Sequence, residues 1–364
     1  MPETFIAQLN ERLMKKRDEL KTNLHQSGKR IDAELRRAVL KHWHSPLPTR
    51  REGHKRTAYA IDGSRRRANL ANGSTVFVAQ SLIMGEELNE PLTDIEILPG
   101  TVRAETMDRF ADLMLRRLEI NLASEYAAKI PEHSILYLDG AIYGMLPQLY
   151  PLRGEGIPEH LDYASMLLAD YRDLFARCAA RDILLLSIAK TNRQALFSKI
   201  VQRDLRRGEI LEITDSALID ELTERSAGFS SPMLLGTYSF DQGKSNVVIE
   251  EYGVKREPAI VSFFVRLAEM DDILRVDLPA MCVGRQERIG DVDAELIDAA
   301  TVVPIVELLQ SDYGGLSVYN ALLYVTDLEV RLSKDKMYNI YLPMISEVLG
   351  EELRIDRSER RFVE

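Results

Sequence analysis

Two aspartates occupy the same local setting in this 364-residue sequence. Asp62 ends the apolar run Tyr59-Ala60-Ile61 and precedes Gly63-Ser64, and Asp139 ends Ile135-Leu136-Tyr137-Leu138 and precedes Gly140. An acid at the carboxyl end of a sheet strand is held at the rim where ligands of open α/β sheets bind. The glycine frees the backbone to turn and lets a phosphate approach closely. One Asp-Gly pair reads most simply as a turn; its repetition at two strand ends is what points to chemistry. Carboxylate oxygens suit hard divalent ions such as magnesium or manganese. Two such ions about 3.5–4 Å apart activate water and stabilise a leaving oxygen in phosphodiester hydrolysis. That arrangement needs three or four carboxylates.

The helical pattern between the two strands offers more acids. At 100° per residue, Asp108, Asp112 and Glu119 fall within about 40° of one another. Asp108 and Asp112 read as a solvated face. Glu119 borders the apolar stripe of Met107, Met114, Leu115, Leu118 and Leu122, so it points toward a packed sheet. Arg116 and Arg117 stand ready to pair with it or with phosphate. Asp327 also borders an apolar face, between Leu323 and Val330; its alternative is an i,i+4 pair with Arg331. Lys190, just after the strand Leu184–Ile188, is placed to neutralise a scissile phosphate or its leaving oxygen. Arg65, Arg66 and Arg67 follow Asp62 directly and read as phosphate contacts, although alternation along a strand turns at least one of them away. Arg266 is a strand arginine of no evident role. Gly243-Lys244-Ser245 fails as a phosphate loop because Tyr238 stands where that pattern requires glycine. The six histidines have no metal-binding company, so a zinc site is not expected.

These residues need a scaffold, and hydrophobic periodicity outlines it. One or two helices are predicted over 3–43, with Ser45-Pro46-Leu47-Pro48 ending this arm. Strands are predicted over 57–61, running into a turn at Asp62-Gly63-Ser64, then over 75–84 and 93–98. A long helix follows over 102–130, a strand over 135–138, a helix over 161–180 and a strand over 183–188. Helices at 194–205 and 216–225 precede a strand-rich stretch at 232–278, clearest at 260–267 and 273–278. Helices at 293–309 and 317–332 and a helical tail to about 353 complete the pattern. Three strands followed by alternating helices and strands imply an α/β mixed sheet with helices on both faces. The expected division is a helical arm over 1–50, a main domain over 51–340 with inserted strands near 232–278, and a tail over 341–364.

Composition narrows the class. With 45% hydrophobic residues the chain is a globular protein rather than a disordered one. Two cysteines, Cys178 and Cys282, exclude a disulfide framework and fit a reducing cytoplasm. No apolar run approaches the roughly 18 residues of a membrane span. The net charge of -10 hides an asymmetry: residues 1–70 carry 17 Lys and Arg against 8 Asp and Glu. A segregated basic end can serve phosphate binding in an otherwise acidic protein.

In order and spacing these motifs resemble the NurA nuclease family. The matching pieces are Ile61-Asp62-Gly63-Ser64, Glu119, Leu138-Asp139-Gly140, the Ser187-Ile188-Ala189-Lys190-Thr191 segment, Phe264-Val265-Arg266-Leu267, and Tyr319 with Asp327. The resemblance spans about residues 55–335. It implies an RNase H-like fold and a manganese-dependent DNA nuclease (magnesium being the other candidate ion) with two ions. It further implies 5′-to-3′ exonuclease and single-strand endonuclease action on single strands or duplex ends, in DNA end resection. A homodimer docked on a hexameric HerA-type translocase is implied as the assembly. Carried over, Asp62, Glu119 and Asp139 are metal ligands, and Lys190, Tyr319 and Asp327 complete the catalytic set. Some relatives have histidine at the carboxy-terminal position; here no histidine follows His160, and Asp327 is the expected replacement. Two other functions compete: a non-catalytic NurA-like subunit docking on the ring ATPase, and an RNase H-like nuclease acting on RNA.

Overall fold

The computed structural model describes residues 3–24, 31–49, 56–143, 157, 160, 162–190, 193–207, 210–236, 257–316 and 318–357. The Gly243-Lys244-Ser245 stretch lies outside them. One end of the sheet is a meander: β2 (Ala58–Asn69), β3 (Thr75–Met84) and β4 (Asn89–Leu98) pair antiparallel in sequence order, with β4 at the edge. The crossover helix α4 (Ala104–Ala127) returns the chain to β5 (Ile135–Asp139), parallel to β2, and α5 (Tyr163–Ala180) leads to β6 (Leu184–Ala189), parallel to β5. The order β4-β3-β2-β5-β6 is the RNase H-like core expected from the sequence.

The strand-rich stretch continues the same sheet. β9 (Ile260–Arg266) and β10 (Leu274–Pro279) form an antiparallel pair, and β10 sits beside β6. The outer edge of β9 is shared by β7 (Gly228–Ser230) and β8 (Met233–Leu235). β1 (Trp43–His44) pairs with β7, and β11 (Glu295–Leu296) with β8. β9 is rich in β-branched and aromatic residues, and β9 and β10 are buried at every position. Central strands covered on both faces read this way.

Helices cover both faces. On one side lie α3 (Ala33–Lys41), α4, α5, α6 (Leu196–Asp204) and α7 (Asp215–Thr223), packed through Leu35, Ile120, Tyr171, Phe197 and Leu218 onto Ile61, Leu136, Leu138 and Phe264. On the other, α8 (Val303–Asp312) and α9 (Ala321–Val330) pack Val306, Leu309 and Leu323 onto Ala60, Tyr137, Ile188 and Val276. The chain ends in α10 (Lys334–Lys336), a π-helical turn at Met337–Tyr341 and α11 (Leu342–Leu349). The two amino-terminal helices, α1 (Glu3–Lys15) and α2 (Arg17–Leu24), precede all of this. Among the described residues, no helix is long and apolar enough to cross a membrane.

Two local expectations fail. The turn read at Asp62-Gly63-Ser64 does not exist: β2 runs straight through it and stays paired with β3 from Ala60↔Met84 to Asn69↔Thr75. The chain reverses at Asn72-Gly73, where Gly73 takes a φ of 88° and the Asn72 side chain accepts from the Ser74 amide. The helix predicted over 293–309 begins as an α-helix only at Val303, with a proline in its first turn, after β11 and a 3-10 turn at Ala299–Val302. Proline there lacks an N–H the helix does not need, so the position is a start rather than an interior.

Candidate metal centre at the strand ends

Register brings the two aspartates together. The parallel pairing of β2 with β5 ends at Ile61↔Leu138, so Asp62 and Asp139 are the next residues on neighbouring strands. Such strands lie about 4.8 Å apart, and in-register side chains share a face. That face is the α9 side: Ala60 and Tyr137, two positions back on each strand, both belong to its core. Beyond Ile61, β2 stays paired with β3 and no longer pairs with β5. A notch therefore opens at the end of β5, with Asp62 on one wall and Asp139 on the other.

Glu119 reaches this notch from the opposite face. Gly63 points toward α4, and a Cβ built there would stand 2.6 Å from both Glu119 Oε1 and Leu115 Cδ1. The glycine thus serves space, not a turn. Arg116, one helical turn before Glu119, places Nη1 3.0 Å from Glu119 Oε2 and donates from the same nitrogen to the Asp139 carbonyl at 2.9 Å. Gly140, at φ 88°, carries the chain past the guanidinium, which a side chain there would strike. From the other face Tyr319 donates to Asp139 Oδ1 at 3.3 Å. Lys190, just past β6, lies 3.5 Å from Asp139 Oδ2 and 5.0 Å from the centre of the Tyr319 ring. Asp327, on α9, pairs with Arg331 at 3.5 Å across one helical turn.

The acids act on one another. Burial pushes the Asp62 carboxyl up to about 8, helped by the charges of Asp139 and Glu119 and, more weakly, Asp327, against a bond from the Gly63 amide. Burial pushes Glu119 up to about 7, with Arg116 opposing and Asp139 adding to the shift. Burial also works against the Arg116 charge, yet Glu119, Tyr171, Asp139 and Asp62 hold its pKa above the ordinary value. The Tyr319 hydroxyl is raised by burial and then by Asp139 and Asp62, so it remains a donor. Among the described residues, no three acids close on a single point as they stand. Glu119 leans on Arg116, Asp139 on Lys190 and Tyr319, and Asp62 on its own neighbour's amide. The donor set is all oxygen, in mutual repulsion and mostly buried, which fits a hard divalent cation.

Asp62, Glu119, Asp139, Lys190, Tyr319 and Asp327 are thus gathered within electrostatic or hydrogen-bonding reach. Arg65, Arg66 and Arg67, expected on phosphate, engage other parts of the protein. Arg65 and Arg67 project toward α4 and pair with Asp112 at 2.5 Å and with Asp108, respectively, while Arg66 donates to the Leu332 carbonyl at 3.2 Å on the other face. The alternation is as read, but each guanidinium already has a partner within the protein, as does Arg117 on Asp170. Arg116 is 16% exposed and turned into the site. Arg266, without a role in the sequence reading, is fully buried and bonds Asp220, Thr223 and the Ser226 carbonyl.

Sequence reasoning missed a buried pair beside the notch. Arg275 and Asp277 bond through Nε and Oδ1 at 2.8 Å, and Asp277 Oδ2 accepts from the Tyr143 amide at 3.0 Å, bracing the segment that follows Asp139-Gly140. Gln194 and Ser262 also hold Arg275. The available signal was the i,i+2 spacing of opposite charges in an apolar strand, which places both on one face.

Comparison with known proteins agrees with this architecture. Residues 56–322 match the NurA domain. No curated protein matches the sequence. Among solved structures, the NurA nuclease from Sulfolobus solfataricus is 18% identical, with a TM-score of 0.59, covering 96% of this chain and 98% of its own. A NurA structure with manganese is 13% identical, TM-score 0.57, covering 92% and 98%. A NurA structure bound to dAMP and manganese is 14% identical, TM-score 0.54, covering 95% and 97%. With nearly three quarters of its length matched by the domain, the chain belongs to the NurA family.

Proposed function

We propose that this protein is a metal-dependent DNA nuclease whose site is the notch between Asp62 and Asp139. The observation that carries the reading is the convergence of Asp62 and Glu119, both raised by burial, with Asp139 at the end of β5. Asp62, Glu119 and Asp139, with Asp327, would hold manganese or magnesium, two ions being the expected number. Bound there, such ions supply an activated water and charge stabilisation for phosphodiester hydrolysis. Lys190 is half exposed and held between Asp139 and the Tyr319 ring, so its ammonium is presented to an incoming phosphate oxygen. Tyr319 keeps its proton and fixes the Asp139 carboxylate by donating to it. Burial of Asp62 and Glu119 keeps bulk water from competing for their oxygens.

The finer reading is exonuclease action with 5′-to-3′ polarity and single-strand endonuclease action, in DNA end resection. Its setting would be the cytoplasm, with the protein a homodimer working on a hexameric HerA-type translocase. Family membership supports this, as does the likeness to a NurA structure bound to dAMP and manganese. The catalytic unit would be the region 51–340.

The test is cleavage of a labelled single-stranded DNA and of a matching RNA, with manganese or with EDTA, by wild type and Asp62→Asn. The expected result is manganese-dependent cutting of DNA by the wild type only. Equal cutting by both proteins would assign the activity elsewhere. Manganese binding without cutting would favour the non-catalytic subunit, and preferential cutting of RNA the third reading.

A further inference from the structure

We propose that Arg116 is a built-in counter-cation that competes with a divalent metal for Glu119, rather than a contact to DNA. The inference rests on the metal-nuclease reading above and assigns Arg116 the part of a positioning residue. Three independent features of the fold are shaped around this side chain. The i,i+3 spacing on α4 sets Arg116 Nη1 3.0 Å from Glu119 Oε2, with both side chains nearly excluded from solvent, 16% and 8% exposed. The same nitrogen donates to the main-chain carbonyl of Asp139 at 2.9 Å, which ties the helix to the end of β5. Gly140 then leaves the turn bare where any Cβ would meet Arg116 Nη2.

The other acids divide differently. Asp139 has Lys190 as its cation and Asp327 has Arg331, both at 3.5 Å, whereas the Asp62 carboxylate accepts from the Gly63 amide at 2.7 Å. Arg116 is therefore the cation that holds Glu119. A guanidinium cannot be neutralised at physiological pH, so an ion gains Glu119 only by displacing it or by sharing the carboxylate against a fixed positive charge. Either way the guanidinium lowers metal affinity and stabilises the metal-free fold.

This coupling is read with manganese alone, on the full-length chain at pH 7.5, by calorimetric titration and by melting with EDTA or excess manganese. Arg116→Met keeps the apolar stem and removes the charge. Its melting temperature in EDTA is expected to fall below that of wild type, its gain on adding manganese to exceed the wild-type gain, and its Kd for manganese to tighten at least about five-fold, the lower end of typical coupling between sites. Arg116→Lys keeps the charge on a differently shaped, more strongly hydrated ammonium, so its Kd is expected between the two. If Arg116→Met does not fold, Arg116→Lys decides by the same sign. Unchanged or weaker manganese binding in the folded variant overturns the proposal. So does a melting temperature lowered equally with and without metal, which marks a merely structural residue. A raised KM for DNA at unchanged manganese affinity returns Arg116 to phosphate binding and also overturns it. Absence of manganese binding in the wild type removes the metal-centre reading itself, and this one with it.

Discussion

At the scale of the residue, the centre is a set of carboxylates kept close against their repulsion. Asp62 bears most of that conflict, because it is buried, flanked by Asp139 and Glu119, and bonded by a single amide. Its folded pKa of about 8 lies above the ordinary 3.8, so between those values the folded chain holds a proton that the unfolded chain has released. Stability contributed by this group is therefore present at low pH and lost as pH rises through that window. Glu119, raised to about 7 from 4.5, adds in the same direction. In EDTA, Asp62→Asn should melt increasingly above wild type between pH 5 and 8, the two converging at the acid end. Manganese should reverse the order at pH 8, because only the wild type keeps the full ligand set. Parallel melting curves for the two proteins across that range, without metal, would show that Asp62 ionises normally.

At the scale of the element, the site depends on where strands end and on which positions lack side chains. Gly63 sits inside β2, and Gly63→Ala puts a methyl group 2.6 Å from Glu119 Oε1 and Leu115 Cδ1. Both are ends of flexible side chains, so the strand should survive, at a cost of about 1–3 kcal/mol for overpacking. The larger expected effect is on Glu119, displaced from the notch, with manganese affinity weakened about 10–100-fold, as when a metal ligand loses its support. Calorimetry alongside denaturant melts separates the two effects; full wild-type affinity would mean that Glu119 is not a ligand. This glycine also shows what was legible in the sequence. The positions of Asp62, Glu119 and Asp139 could be read from apolar runs and helical spacing, because strand and helix periods fix which face a residue takes. The conformation at Asp-Gly could not, because local turn propensity was overridden by ten residues of pairing with β3. The ion partners of Arg65 and Arg67 were not legible for a related reason: those acids lie more than forty residues away on α4. Arg275 and Asp277 were passed over because charged residues are rarely fully buried unless paired.

At the scale of the molecule, the expected arm over 1–50 has two characters. α3 and β1 are core: Leu35 and Val39 are buried, Trp43 lies beneath the Arg266 guanidinium, and β1 pairs with β7. Asp32 caps α3 and pairs with Arg207, and His42 and His44 both contact the Ser231 hydroxyl. By contrast α1 exposes its side chains from Thr4 onward, including Phe5, Leu9 and Leu13. Residues 3–24 hold five Lys and Arg against four Asp and Glu, so the basic excess of the amino-terminal region lies after them. Among the described residues, the side chains of α1 and most of those of α2 are exposed, and the charge of 3–24 is close to balanced. Deleting residues 1–24 should leave the melting temperature and the salt dependence of single-stranded DNA binding unchanged. Deleting residues 1–44 removes three large buried side chains, each worth about 2–5 kcal/mol on the scale of large-to-small core substitutions, and a sheet edge as well. That sum rivals the net stability of an ordinary domain, so the longer deletion should abolish cooperative unfolding in a denaturant titration. A shorter deletion that melted well below wild type would show that α1 packs on the body after all, and a longer one that still unfolded cooperatively would place the core's boundary after β1.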